Sequence, residues 1–533
     1  MSEKKHTEKR VAADRLIDLA SGIFLFKSPE KEPYAIYLVD GAKHCDPVES
    51  KAFGHYLARL YYEAEGSAIT ATALDTAVRQ LAAKARFEGQ TLPLFVRTAP
   101  CRNGLAIDLG DDSRLAVLVT PNGYQIGEPQ FPFRRGSNTA TFPAPEPGGD
   151  LAELFDFVNI TNPSGQRMII AWLLHTFLTG IPHVVLVLEG AQGSAKSTAS
   201  CQLVSLTDPS QAPLLALPSS ERDLMISAAT SWVLVFDNLR RLPPEVSDQI
   251  CRLVTGGGLR TRKLYTNDDE MLFTAKRVVV LNGIHGIVKE QDLLSRSLVV
   301  TLAPFGDAGT RSDEEVAEAF ERVRPRILGA LMTALSGVLR ELPAVQVTDA
   351  PRMADFARVG VAAERVLGWP EGAFLAAYRQ SLGHAVSASL EDDVVAQSLG
   401  ELVTREEVWE GTTGKLLQRL GRLVPKDVHR SREWPKSPNW LSNRLRRLAP
   451  GLPALGIAIE FDLCLGGEKR VLRVTRVEET ASRPEVAADN EDAPAVVAGD
   501  ETLQTKETVA TAANTSPSLE KDKGGIAALR IRR

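Results

Sequence analysis

The chain has 533 residues, 44% of them hydrophobic and 24% charged, with a formal net charge of -5. That length exceeds one ordinary domain, about three or four are expected, and the composition is that of a soluble globular protein. Cys45, Cys101, Cys201, Cys251 and Cys464 are scattered, odd in number and never in a C-x-x-C pair. This argues against a disulfide scaffold or a cysteine zinc site and fits a reducing cytoplasm.

The opening MSEKKHTEKR is charged with no apolar run behind it, so no secretory signal is expected. Residues 1–134 read as a small α+β domain of unassigned function. SGIFLF, YAIYLV, LFVRTA, LAIDLG and RLAVLV have strand character, PNGY is a turn, and Phe53, Leu57, Leu60, Tyr61 and Leu74, Val78, Leu81, Ala85 form two helical stripes. RRGSNTATFPAPEPGGD, ending at Asp150, is rich in Pro, Gly, Ser and Thr, and residues 135–150 read as a linker.

Residues 168–188, MIIAWLLHTFLTGIPHVVLVL, carry no Asp, Glu, Lys or Arg and are long enough to span a bilayer. Gly180 and Pro182 interrupt the run, and His175 and His183 lie inside it. A buried helix to Leu178, a turn and a buried strand from Val184 are expected, with no membrane partner. Residues 151–310 alternate strand and helix signals, which predicts a parallel sheet covered by helices. A helical segment follows over 311–390 and a smaller domain over 391–476. Residues 477–533 have no Phe, Trp or Tyr and are expected to be disordered.

The chemistry concentrates in LEGAQGSAKST, 188–198. It follows a β-branched strand and opens a helix, the arrangement that phosphate requires. Loop amides point inward, a helix N-terminus adds positive potential, a lysine reaches the outer phosphates and a hydroxyl holds magnesium. Gly190, Gly193, Ser194, Ala195, Lys196, Ser197 and Thr198 are the candidate ATP-binding residues. Ala195 stands where the usual G-x-x-x-x-G-K-[ST] pattern has its second glycine.

Forty-one positions after Lys196, the apolar run Val233 to Phe236 leads into Asp237. A carboxylate at a strand tip beside such a loop can hold Mg2+ together with Ser197. A third run, KRVVVLNGI, ends at Asn282, a polar side chain able to orient an attacking water. A fourth, SRSLVVTLAPF, is preceded by Arg296.

GAQGSAKST, LVFDN, TGGGLRTRKLYTNDDE, VVVLNG and DLLSRSLVV together resemble the ATPase core of superfamily three helicases and phage or plasmid primase-helicases, within the AAA+ group of P-loop proteins. The nearest resemblance is to ATP-binding proteins of prophages and mobile elements. It implies a P-loop NTPase fold, with Lys196 and Ser197 at the Walker A positions, Asp237 as the Walker B aspartate, Asn282 as sensor 1 and Arg296 as an arginine finger. A finger works across an interface, so a homo-oligomeric ring, a hexamer, is implied. Asn238 departs from the pattern. Many AAA+ proteins place there a second acid that activates water, and an amide cannot take its proton. Hydrolysis is then slow or uses another carboxylate, such as Glu189 or Glu221.

Two regions are expected to meet DNA. TGGGLRTRKLYTNDDEMLFTA, 255–275, reads as a hairpin about Asn267-Asp268-Asp269 carrying Arg260, Arg262, Lys263 and Tyr265. In the resembled family an insertion at this place tracks DNA in the ring channel, a use that basic and aromatic groups suit. From Gly411 to Arg476 there are 14 Lys and Arg against 5 Asp and Glu, a polyanion-binding balance. Two helices and a hairpin there follow the winged-helix order. Lys436, Asn443, Arg444, Arg446 and Arg447 fall on or near the recognition helix, and Lys469, Arg470 and Arg473 on the wing. No primase constellation is visible, so a separate primase is a candidate partner. The expected function is an ATP-dependent DNA helicase or translocase. The rival is a DNA-binding ATP switch that does not unwind, and a small-molecule kinase is a weaker third.

Overall fold

The computed structural model describes residues 11–262, 270–273, 276–304, 312–391, 393–431, 433–464 and 470–477, without the side chains of 259–262, 270–273, 462–464 and 470. The expected disordered tail from 478 onward, and the candidates Lys263, Tyr265 and Lys469, lie outside the described residues.

The chain begins with α1 (Ala12–Leu19), β1 (Phe24–Lys27), β2 (Pro33–Val39), β3 (Ala42–Pro47), α2 (Lys51–Glu65) and α3 (Ala71–Phe87). The Ser50 and Thr70 hydroxyls accept from Phe53 N and Ala73 N and start α2 and α3. The strands form an antiparallel sheet, and Leu16, Tyr37, Phe53, Leu57 and Leu81 make a core of their own. β3 was not expected, because its sequence AKHCDP carries no apolar alternation; pairing with β2 makes it a strand.

A second sheet, β4 (Thr98–Cys101), β5 (Gly104–Asp108), β6 (Ala116–Thr120) and β7 (Gly123–Gly127), is an antiparallel meander. The sequence groups it with the N-terminal elements, but its apolar face packs elsewhere. Leu105, Ile107, Val117 and Val119 join the large core of the following region. A buried ion pair fixes it there. Arg97, at φ 59°, donates to Asp208 Oδ1 at 2.8 Å, and Asp208 Oδ2 accepts from Trp232 N and Val233 N.

Residues 134–150, expected to be a linker, are a fixed strap. Phe142 is buried, Phe142 N donates to Leu109 O and Glu146 N to Pro325 O. A Cβ on Gly149 would stand 2.1 Å from Arg326 O, and one on Gly329 would stand 1.7 Å from Glu146 O. The glycines and prolines therefore let an extended segment press onto a helix, where composition alone reads as slack chain.

The central region runs α4 (Pro163–Thr176), β8 (Val185–Glu189), α5 (Lys196–Ser205), β9 (Leu214–Leu215), α6 (Glu221–Thr230), β10 (Val233–Leu239), α7 (Pro244–Thr255), β11 (Leu259–Arg262), β12 (Glu270–Phe273), β13 (Val278–Gly283), α8 (Gln291–Leu294) and β14 (Ser297–Thr301). Five strands form a parallel sheet in the order β14-β8-β13-β10-β9. Both faces are covered, which is why its strands are unbroken apolar runs. Leu186, Leu188, Val233, Val235, Val278 and Val280 enter one core; Val185, Val187, Leu234, Phe236, Val279 and Leu281 enter another. β11 and β12 pair as a separate antiparallel hairpin.

α9 (Asp313–Glu341), α10 (Ala354–Leu367) and α11 (Ala373–Glu391) complete the large core. α9 is long and apolar enough to cross a membrane, but its apolar stripe, Phe320, Ile327, Leu328, Leu331 and Leu335, is buried in that core. The last elements are α12 (Val394–Arg405), β15 (Val408–Gly411), α13 (Thr413–Gly421), α14 (Lys426–Arg430), α15 (Pro438–Leu448), β16 (Ile457–Cys464) and β17 (Arg470–Arg476). The strands pair in the order β15-β17-β16 beside helices anchored by Leu399, Leu420, Trp434, Leu441 and Leu445.

Candidate nucleotide-binding site

The loop between β8 and α5 sits at the carboxyl edge of the parallel sheet, where ligands of such sheets bind. Ala195 is the N-cap of α5 in the left-handed conformation, φ 49° and ψ 38°. This is the geometry that explains glycine in the usual pattern, and alanine adopts it at a cost of about 1 kcal/mol. Gly193 is also left-handed, φ 83°, and a Cβ on Gly190 would meet Ser194 Oγ at 2.5 Å. The loop wraps around Lys196, whose ammonium donates to Gly190 O at 3.0 Å, Ala191 O at 2.8 Å and Ser194 Oγ at 3.3 Å. Ser197 and Thr198 occupy the first turn of α5, Ser197 exposed and Thr198 half-buried.

Ser197 Oγ donates to Asp237 Oδ1 at 2.8 Å, joining the first turn of α5 to the tip of β10. Two hard oxygens at that spacing suit a hard divalent cation, held directly by one and through water by the other. Asn282, buried at the tip of β13, connects both sides. Its Oδ1 accepts Asn238 N–H at 2.9 Å, and its Nδ2 donates to Ser200 Oγ at 2.9 Å. Ser200 Oγ in turn donates to Lys196 O. Asn238 itself is exposed at φ 57°, where the pairing of β10 with β13 shifts register. Asparagine tolerates that conformation better than longer residues do.

Arg296 is only 13% exposed and donates to the Asp292 carboxylate and carbonyl of its own chain. Arg352 reaches the same carboxylate at 2.8 Å. Burial works against the ionised form of Asp292, and the pairing with Arg296 and Arg352 outweighs it, so its carboxyl lies below the usual range. The structure thus places Arg296 inside an intrachain cluster.

Of the two alternative carboxylates, Glu221 starts α6 and lies 4.0 Å from Arg252. Glu189 ends β8, directly before the loop. Its Oε1 accepts Gly286 N–H at 2.9 Å, and its Oε2 is 3.3 Å from His285 Nδ1. His285 escaped the sequence reading, since its only signal is a histidine two residues beyond a strand.

Among the candidate DNA-facing residues, Arg260 and Arg262 belong to β11 and Arg470 to β17 by backbone alone. Arg444 pairs with Asp393, the cap of α12, and the Arg446 guanidinium lies 4.7 Å from the Phe461 ring centroid. Arg473 pairs with Glu410 and Glu460 across the sheet. Lys436 Nζ donates to His429 O. Asn443 and Arg447 are exposed on α15, one turn apart, beside Trp440, which is 40% exposed and was not singled out from sequence.

The class that this fold and site define is a mixed α/β protein built on a five-stranded parallel sheet, with a loop lysine, a serine and an aspartate gathered at its strand tips. Residues 151–388 match the family described as actinomycete integrative conjugative element replication protein, and residues 395–489 match its C-terminal domain. The two matches run consecutively and make the chain similar, over both segments, to a mobile-element replication protein. No curated protein matches. Among solved structures, an SCCmec type IV Cch active helicase is 12% identical, with a TM-score of 0.46 over 86% of this chain and 93% of that one. The NrS-1 C-terminal region in its apo A form is 12% identical, with a TM-score of 0.36 over 86% of this chain and 98% of that one.

Proposed function

We propose that this protein is an ATP-dependent DNA helicase or translocase of a mobile-element replication system, working as a homo-oligomeric ring. The observation that carries the reading is the 2.8 Å contact of Ser197 Oγ with Asp237 Oδ1 below a lysine-centred glycine loop. The core is read as a P-loop NTPase. In that reading the loop amides and the N-terminus of α5 take the triphosphate, and Lys196 stabilises charge on its outer phosphates. Ser197 and Asp237 hold Mg2+, which supplies neutralisation of the phosphate oxygens. The match to a conjugative-element replication protein supports the biological setting.

DNA contact is proposed at two places. The β11–β12 hairpin follows α7 in the chain, between the strands bearing Asp237 and Asn282, as a separate two-stranded unit that carries Arg260 and Arg262. The final region, with helices α12 to α15 and a three-stranded sheet, is read as a winged helix with α15 toward DNA. Its free polar face is Asn443 and Arg447 with Trp440, because Arg444 and Arg473 are committed to internal pairs. A finger role for Arg296 requires its pair with Asp292 to open on ring assembly.

The test is Lys196→Ala. ATP hydrolysis and strand separation are both expected to disappear; unwinding that survives this change contradicts the proposal. A second reading, a DNA-bound ATP switch without unwinding, is favoured by one observation, the amide at Asn238. It expects ATP-dependent assembly on DNA with negligible turnover.

A further inference from the structure

We propose that Glu189, positioned by His285, is the base that activates water for hydrolysis at the nucleotide site, taking the part that Asn238 cannot. This rests on the reading of that site as an ATPase. Glu189 is the last residue of β8 and the neighbour of Gly190, whose carbonyl holds the Lys196 ammonium. In the sheet it lies opposite Gly283, one step beyond Asn282, so its backbone ends β8 at the same carboxyl edge of the sheet as Asp237 and Asn282, and the β13–α8 loop that carries His285 and Gly286 meets its side chain there.

Its surroundings fix a carboxylate by one backbone N–H and one imidazole, with no Lys or Arg paired to it among the described residues. The side chain is 12% exposed. Gly286 N–H, at a left-handed glycine, points at Oε1, and the His285 ring faces Oε2. Asp237 is engaged by Ser197, and Glu221 sits on α6 facing Arg252. Glu189 therefore adjoins the loop and keeps a lone pair for a proton, while Asp237 is read as the metal ligand. His285, 63% exposed, connects it to solvent.

The step balances as follows. A water O–H proton passes to the Glu189 carboxylate as the water oxygen bonds to the γ-phosphorus. The bond from that phosphorus to the β–γ bridging oxygen breaks, and its electron pair leaves on ADP. Inorganic phosphate is released, and the proton returns to solvent by way of the His285 imidazole. His285 touches Glu189 and is a positioning residue.

The experiment measures steady-state ATP turnover and fluorescent ATP-analogue affinity on the full chain, for wild type, Glu189→Gln and His285→Ala. Glutamine keeps the acceptor for Gly286 N–H, so the loop is retained. Glu189→Gln is expected to lower turnover by about 100-fold or more with affinity unchanged, and His285→Ala by a smaller factor. Glu189→Gln turning over at the wild-type rate overturns the proposal. So does equal loss of affinity and turnover, the pattern of a purely structural residue, and so does a wild type that binds nucleotide without hydrolysing it. A wild type that binds no nucleotide overturns the ATPase reading itself, and this inference with it.

Discussion

Asn282 holds Asn238 by its backbone: the buried side-chain oxygen accepts the Asn238 N–H at 2.9 Å while the same amide group donates to Ser200 on α5. One side chain thus ties the tip of β10 to the helix that carries Lys196 and Ser197. Both of its polar ends work inside the protein, so it positions the site before it meets any water. Asn282→Leu leaves the Asn238 amide and the Ser200 hydroxyl without these partners. It is expected to cost about 2 kcal/mol in urea denaturation and to weaken nucleotide binding. Unchanged stability contradicts the linking role.

Backbone conformation explains two departures from the usual motif. Ala195→Gly relieves a left-handed alanine and is expected to raise stability by about 0.5–1 kcal/mol with the loop intact. Asn238→Glu puts a longer side chain at φ 57°. It is expected to lower stability by about 1 kcal/mol without raising ATP turnover. A large gain in turnover from Asn238→Glu would show that the missing acid, and not Glu189, limits the site.

The buried Arg97–Asp208 pair joins the β4–β7 sheet to the start of β10. Asp208→Ala strips Arg97 of its counter-charge and Trp232 N and Val233 N of their acceptor. A loss of about 3–5 kcal/mol is expected in chemical denaturation. The β4–β7 sheet and the five-stranded parallel sheet should then no longer unfold together, as followed by hydrogen exchange.

Acid should weaken the core through two histidines. Burial pushes His175 down to about 3 and His183 well below its ordinary value, with His175, Lys276 and Arg277 adding to the effect on His183. The unfolded chain takes up these protons from about pH 6.5 downward, whereas folded His175 resists to about 3 and folded His183 resists well below its ordinary range. Stability is therefore complete above about pH 6.5 and declines below it, by at most about 1.4 kcal/mol per pH unit per histidine. Urea midpoints at pH 7.5 and 5 measure this, and His175→Leu should reduce the slope. Equal midpoints in the wild type contradict it.

The final region separates binding from packing. Arg447→Ala is expected to weaken DNA binding and lower the dependence on salt by about one ion without changing stability. Arg444→Ala leaves Asp393, buried at the cap of α12, without its cation and with only the Val395 and Ala396 N–H groups, and is expected to lower stability first. The reverse pattern would place the DNA face elsewhere.

Much of the central site was legible because its strands are buried on both faces and end in single polar residues. The run Val233 to Phe236 before Asp237 and the run Val278 to Leu281 before Asn282 announce strand tips at one sheet edge. What escaped the sequence depends on side-chain direction or on contacts distant along the chain. The 134–150 strap has the composition of a linker and becomes ordered through Phe142 and the close approach of Gly149 to α9. Arg444 and Arg473 count as basic charge in a sequence, but only the fold reveals their partners Asp393, Glu410 and Glu460. Glu189 and His285 are 96 positions apart and meet only because β8 and β13 are neighbours.

The central claim is a nucleotide site that drives work on DNA. The most direct measurement is steady-state ATP hydrolysis by the purified full-length protein with and without single-stranded DNA. The account predicts turnover that rises on adding DNA and vanishes in Lys196→Ala. A protein that binds DNA but neither binds nor hydrolyses ATP in either condition would contradict it.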